Sequence, residues 1–184
     1  AIAAARDLTK FPGKERFPVR VIRYRGTSRV DAETEKEFLQ GYGVGFQDLI
    51  RYIMGQLPTS EIIRDALRQN VPTYPEITIR ELVANALIHR DFAVTGTNPM
   101  VEIFSDRMEI ANPGTLLPTV KIDRLIDSAP ESRNELFASL MRRMGICEER
   151  GSGIDKALFY VEVYGLPPID FVEGPNVFRA VLRS

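Results

Sequence analysis

The chain has 184 residues, about one domain at the usual ~150 residues per domain and long enough to bury a core without a disulfide or metal staple. Apolar residues make up 44%, charged residues 27%, and the formal net charge is −1. That balance excludes a wholly disordered chain and argues against polyanion binding by the surface as a whole. One cysteine, Cys147, and one histidine, His89, exclude an internal disulfide, a multi-cysteine zinc or iron–sulfur site, and any motif that needs two histidines.

No apolar run approaches the ~20 residues that span a bilayer. The opening Ala1-Ile-Ala-Ala-Ala5 lacks Met and meets Arg6 and Asp7 before a signal-type core forms, so the chain reads as a piece of a longer protein in a reducing, cytoplasmic setting. Residues 1–30 carry a net charge of +6 and the remainder −7. Such a basic arm suits either a solvated strand with charged sides or an edge contact to nucleic acid.

Taken in chain order, Phe17–Arg25 predicts a strand opening after Pro18, with the character of an edge strand. Gly41, Gly43 and Gly45 suggest a flexible connector before a helix over Phe46–Leu57, and Ser60–Gln69 predicts a second, short helix. Thr78–Arg90 predicts a helix with Ile79, Leu82, Val83, Ala86 and Leu87 on one apolar face. Met100–Phe104 and Arg107–Ala111 form a hairpin that Asn112-Pro-Gly114 breaks, and a long segment over Thr115–Asn134 follows. Helices are predicted over Glu135–Met144 and from Gly153 to about Tyr164, and a closing strand pair over Ile169–Val172 and Val177–Leu182. This order predicts an α+β fold: a two-layer, helix-over-sheet sandwich with a mostly antiparallel sheet.

Three polar constellations stand out. Glu81, Asn85 and His89 lie four residues apart on one side of their helix. An asparagine carbonyl there suits a hard cation, and a carboxylate one turn earlier suits proton abstraction from water. The same Glu81 also completes a Thr78-x-x-Glu81 capping box, which would tie it to the helix start. His89 reads as a structural histidine near a helix end, with Arg90 and Asp91 pairing locally. Asn112-Pro-Gly114 fits either a tight turn or a place where a ligand approaches the backbone, Asn112 offering a donor and an acceptor to a planar heterocycle. Gly151-Ser-Gly153 opens a helix, and it fits a phosphate site or a plain N-cap at Ser152.

Four strings in this order, E-L-V-A-N-A-L-I-H-R-D at 81–91, R-M-E-I-A-N-P-G at 107–114, S-R-N-E-L-F-A at 132–138 and E-E-R-G-S-G-I at 148–154, resemble the GHKL ATPase superfamily of gyrase-type, chaperone-type, histidine-kinase and mismatch-repair ATPases. More closely, they resemble a bacterial branch labelled "RecG-like" or "putative transcriptional regulator". Members of that branch carry a Schlafen/AlbA-type DNA-binding module before a GHKL-like C-terminal domain. The resemblance implies a Bergerat-type sandwich over residues 58–184, with residues 1–57 as a basic strand and helix linking from a module outside this chain.

It further implies a regulatory, Mg-dependent ATP-binding domain that hydrolyses slowly or not at all. Asn85 would hold magnesium, Glu81 would stand at the catalytic base, and Asn112 with Gly114 would receive the adenine. Gly151 with Gly153 would wrap the phosphates, and residues 115–135 would form a lid. Asn112 stands where the superfamily usually has an aspartate, and N-P-G-T-L replaces the D-x-G-x-G pattern. The alternative is a nucleotide-free interaction or dimerisation domain whose pocket has decayed. DNA through the missing module and a second copy of the chain are the implied partners, with no membrane. No G-x-x-x-x-G-K-[ST] loop occurs, so a translocating motor of that kind is excluded.

Overall fold

The structure, a computed structural model, describes residues 1–64, 67–120, 122, 131–147 and 153–184. Among the described residues, eight strands and four α-helices follow one another: β1 (Val19–Tyr24), β2 (Ala32–Phe38), α1 (Tyr42–Gln56), β3 (Thr59–Arg64), β4 (Leu67–Pro72), α2 (Glu76–Ile88), β5 (Met100–Ile103), β6 (Arg107–Pro113), α3 (Glu135–Arg143), α4 (Gly153–Val163), β7 (Asp170–Gly174) and β8 (Val177–Arg183). A six-stranded sheet has the order β2-β1-β5-β6-β8-β7, and β3 with β4 forms a separate hairpin. Among the described residues, β1 and β5 pair in parallel and the other strand pairs are antiparallel. The fold is the α+β, helix-over-sheet arrangement that the sequence predicts.

Strand alternation explains how one face of the sheet meets the helices. Val19, Val21, Val101, Ile103, Met108, Ile110, Ala180 and Leu182 point into one core with Phe46, Ile53, Ile79, Leu82, Val83 and Leu87 of α1 and α2. Burying each of the larger side chains contributes about 1.5–3 kcal/mol. The opposite parity builds a second, polar layer. Buried Glu102 and Glu109 receive Arg29 (Nε to Glu102 Oε1 2.7 Å, Nη2 to Glu109 Oε2 2.7 Å) and Arg107 (Nε to Glu109 Oε1 2.7 Å), and the Tyr24 hydroxyl donates to Glu102.

Three expectations are corrected. The segment expected as a helix over Ser60–Gln69 is instead the β3–β4 hairpin, in register from Thr59↔Pro72 to Arg64↔Leu67. The ten-residue helical spacing of Ile62, Ile63 and Leu67 is too short to sustain a helix by itself, and β-branched Thr59, Ile62, Ile63 and Val71 favour extended backbone. β1 is an interior strand, because β2 covers its outer side. The glycines at 41–45 are no flexible connector: Gly41 is the N-cap of α1, and Gly43 and Gly45 lie in its first turns. They permit close approach. A Cβ at 41 would sit 2.7 Å from the backbone of Ala3 and Ala4, and one at 43 would sit 2.6 Å from Met144 Sδ.

Candidate functional site

Helix α2 begins at Glu76 behind Pro75, which provides no side-chain cap. Thr78 is therefore inside the first turn, where its buried hydroxyl donates to the Ala157 carbonyl of α4 at 3.0 Å. The Thr78-x-x-Glu81 capping box does not form. Glu81, one turn on, is buried and faces the start of α4. Gly153, the first residue of α4, comes so near that a Cβ on it would lie 2.5 Å from Glu81 Oε2 and 3.5 Å from Asn85 Nδ2. The glycine is thus required by space, and it brings three predicted site residues into one contact.

Asn85 is half-buried, and its Nδ2 donates to the Glu81 carbonyl at 2.8 Å. That bond fixes the amide so that Oδ1 is the atom left for an outside donor or a hard cation. An amide carbonyl oxygen is a ligand type that a hard cation such as magnesium accepts. Gly151, with Ser152, lies outside the described residues. So does much of the expected 115–135 lid.

The second group of residues gathers where α2 ends. β6 runs on to Pro113 rather than breaking before Asn112, and Asn112 shares the parity of Met108 and Ile110, toward the helix layer. Its buried Nδ2 reaches the carbonyl of the next residue, Pro113, at 3.4 Å. Gly114 has φ +110°, and a Cβ there would lie 2.7 Å from Asp91 Cβ. The main chain closes this junction: Asp91 N donates to Pro113 O (2.8 Å) and Gly114 N to Asn176 O (2.9 Å). No hydrogen bond among the described residues joins Asn112 to Glu81 or Asn85.

Sequence reasoning missed the groups that lock this corner. Asp91 does not pair with Arg90. Its Oδ2 accepts from Arg133 Nη1 at 3.0 Å, while Arg133 Nη2 donates to Thr115 O at 2.8 Å. Asn134 Nδ2 donates to the carbonyls of Ile88 and Arg90, both at 2.8 Å, satisfying main-chain oxygens at the end of α2. Burial, aided by the nearby Arg133 charge, holds the His89 imidazole below its ordinary pKa. The H-R-D and S-R-N triplets therefore interlock. Their opposite charges, Asp91 and Arg133, were the readable signal.

Arg90 turns the other way, into the core. Fully buried, it lies over the Phe17 ring (4.1 Å to the centroid) and donates to Tyr42 Oη and to the carbonyls of Arg16, Val94 and Thr97. Desolvation pushes the Tyr42 phenol up to about 12 against the opposing pull of Arg90. Burial also raises the Cys147 thiol, with Arg142 lowering it and Glu81 raising it. Of the basic arm, Arg20 pairs with Glu35, Arg23 with Glu33, and Arg29 with Glu102 and Glu109. These arginines are engaged within the sheet.

Among the described residues, no helix is long and apolar enough to cross a membrane. No curated protein matches the chain. Residues 96–182 match the family model HATPase_c_4, described as "Putative ATP-dependent DNA helicase recG C-terminal". The match takes in Asn112, Gly114 and Gly153 but begins after α2. The crystal structure of the DIP2311 protein from Corynebacterium diphtheriae superposes with a TM-score of 0.81 at 18% identity, covering 92% of this chain and 35% of that one. The present chain thus spans about a third of that protein, and at this identity the likeness is one of fold. Residues 96–182 are therefore similar to the ATPase-like C-terminal domain that the family model describes, carried on a fold shared with the corynebacterial protein.

Proposed function

We propose that this chain is a regulatory nucleotide-binding domain that takes Mg-ATP and relays its occupancy to a DNA-binding module outside the chain. The observation that carries this reading is the contact of Glu81 and Asn85 with Gly153, the residue that opens α4. A helix N-terminus favours anionic phosphate, and here it opens beside an asparagine with a cation-type oxygen and a carboxylate. The family match over 96–182 supports the same reading. Asn85 Oδ1 would hold magnesium, whose role when bound is to neutralise phosphate charge. Asn112 and Gly114 would meet the base, and Gly151 with Gly153 the phosphates. Glu81 would take the proton of an attacking water at its carboxylate, if slowly.

Calorimetric titration with magnesium and a non-hydrolysable ATP analogue should give saturable binding. Asn85→Ala should abolish it without lowering the melting temperature. Glu81→Gln should keep binding and remove turnover. A flat titration of the unaltered chain overturns the proposal. It would favour the second reading, an interaction domain without a ligand, which has its own support: Asn85 and Asn112 both commit their amides to neighbouring main-chain carbonyls.

A further inference from the structure

The edge of the sheet at β2 carries a feature that the nucleotide reading leaves unused. β2 pairs with β1 on its inner side and ends the sheet on its outer side. Among the described residues, no main-chain hydrogen bond reaches that outer side. An open row of strand amides and carbonyls is a template for another strand. Beside it lies an open groove of about 450 Å³, walled by Lys36, Phe38 and Leu39 on one side and by Asp48, Arg51 and Tyr52 of α1 on the other. The Phe38 and Tyr52 ring centroids are 5.4 Å apart, and Lys36 Nζ lies over both rings, at 4.9 and 4.5 Å. Leu39 is exposed. A groove between an edge strand and a helix has the shape that receives an extended peptide as an added strand.

The charges along the edge select the occupant. Lys36 and Phe38 stand opposite the core valines Val21 and Val19, on the face toward the helices, so Glu35 and Glu37 lie on the other face. The strand already paired with β2 shows which chemistry suits those glutamates: β1 reads V-R-V-I-R-Y, and its Arg20 ion-pairs with both Glu35 and Glu37. One guanidinium thus serves two carboxylates, whose side chains remain 45% and 44% exposed. On a strand added at the outer edge, the residues opposite Glu35 and Glu37 would stand on the same face, with Cβ atoms about 4.5–5.5 Å away. Those two positions are two residues apart, and the one between them falls on the groove side, against Phe38, Leu39 and Tyr52. A second copy is the wrong occupant, because in a continuous sheet its own β2 would set glutamates against Glu35 and Glu37. We infer that the outer edge of β2 and its groove bind an extended segment of a partner protein in which basic and apolar residues alternate, added as one more strand of the sheet.

One added strand buries less than the roughly 800 Å² per partner of a standard interface, so binding should be modest, about 10–100 µM in Kd. The probe is a capped, fluorescein-labelled peptide, Thr-Arg-Val-Arg-Val-Arg-Thr, titrated with the whole chain and followed by anisotropy. It should bind saturably, and hydrogen exchange should slow at main-chain amides within residues 32–38. A peptide of the same composition with its arginines consecutive, Thr-Arg-Arg-Arg-Val-Val-Thr, should bind at least tenfold more weakly. Glu35→Gln with Glu37→Gln should also weaken the alternating peptide at least tenfold, a melting curve showing that the double variant is folded. The exchange measurement and the consecutive-arginine peptide need no variant, so they decide the matter even if that one does not fold. Absence of binding to the unaltered chain overturns the inference. So does equal affinity for the two peptides, which marks charge attraction without a strand, or protection that leaves 32–38 unchanged. Affinity indifferent to loss of both glutamates in the folded variant overturns it as well.

Discussion

Arg90 shows how one side chain can hold distant segments together. Its guanidinium joins the carbonyl of Arg16, the hydroxyl of Tyr42 and the carbonyls of Val94 and Thr97, so the N-terminal segment, α1 and the loop after α2 share one donor. A buried carbonyl left without its donor costs about 1–3 kcal/mol. Lysine presents a single ammonium where arginine presents a planar fork. Arg90→Lys should therefore cost about 3 kcal/mol, read as a lowered urea midpoint with little change in slope. The sequence places a charged residue straight after A-L-I-H, and nothing local says that it turns inward; the acceptors that make burial tolerable come from residues 16, 42, 94 and 97. Asn85 and Glu81 were legible because helical spacing alone puts them on one side, whereas the failure of the capping box depended on where Pro75 starts the helix.

At the level of elements, the end of α2 is a junction of three segments. His89 sits there half-buried, with Arg133 beside it, and both effects favour the neutral ring. Its folded-state pKa lies below the ordinary value of about 6.5, so as the pH falls through 6.5 the unfolded chain takes up the proton before the folded chain does. The stabilisation is complete above that value and is lost as the pH falls toward the depressed folded value. His89→Gln should flatten this part of the profile. The difference in unfolding free energy between variant and unaltered chain, followed by urea titration from pH 7.5 to 5, should change in that direction.

Elements with strong periodicity, α1, α2, α3 and the β5–β6 pair, were readable to within a few residues. β2 was not, because Ala32–Phe38 is exposed except at Phe38 and shows no apolar alternation. It is a strand by virtue of its partner: Arg20 and Arg23 of β1 reach across to its glutamates. The β3–β4 hairpin was misread for the related reason that main-chain pairing overrides a short helical spacing.

For the whole molecule, the layers draw on both ends of the chain. Residues 1–57, expected as a linking segment, supply β1, β2 and α1, and Leu8, Phe17, Val19, Phe46 and Ile53 share the main core with α2. A fragment beginning at residue 58 would leave β5 without its parallel neighbour and uncover the apolar face of α2. That fragment should show no cooperative thermal transition, where the full chain melts in a single step; differential scanning calorimetry of the two distinguishes the outcomes. The two-layer class followed from the order of elements, but the insertion of β1 beside β5 did not, since register across so many residues is decided by packing and not by local pattern.

That insertion sets a schedule for the nascent polypeptide. Val21 aligns with Val101, and Ile110 with Ala180, so the central strands must wait for stretches synthesised some seventy or eighty residues later. A lone two-stranded ribbon is marginal in water, and the V-R-V-I tract at 19–22 would stay uncovered on the ribosome for much of translation. Arg20 within that tract, Arg23 beside it and the glutamates of Ala32–Phe38 then act as gatekeepers against intermolecular stacking before the native neighbour arrives.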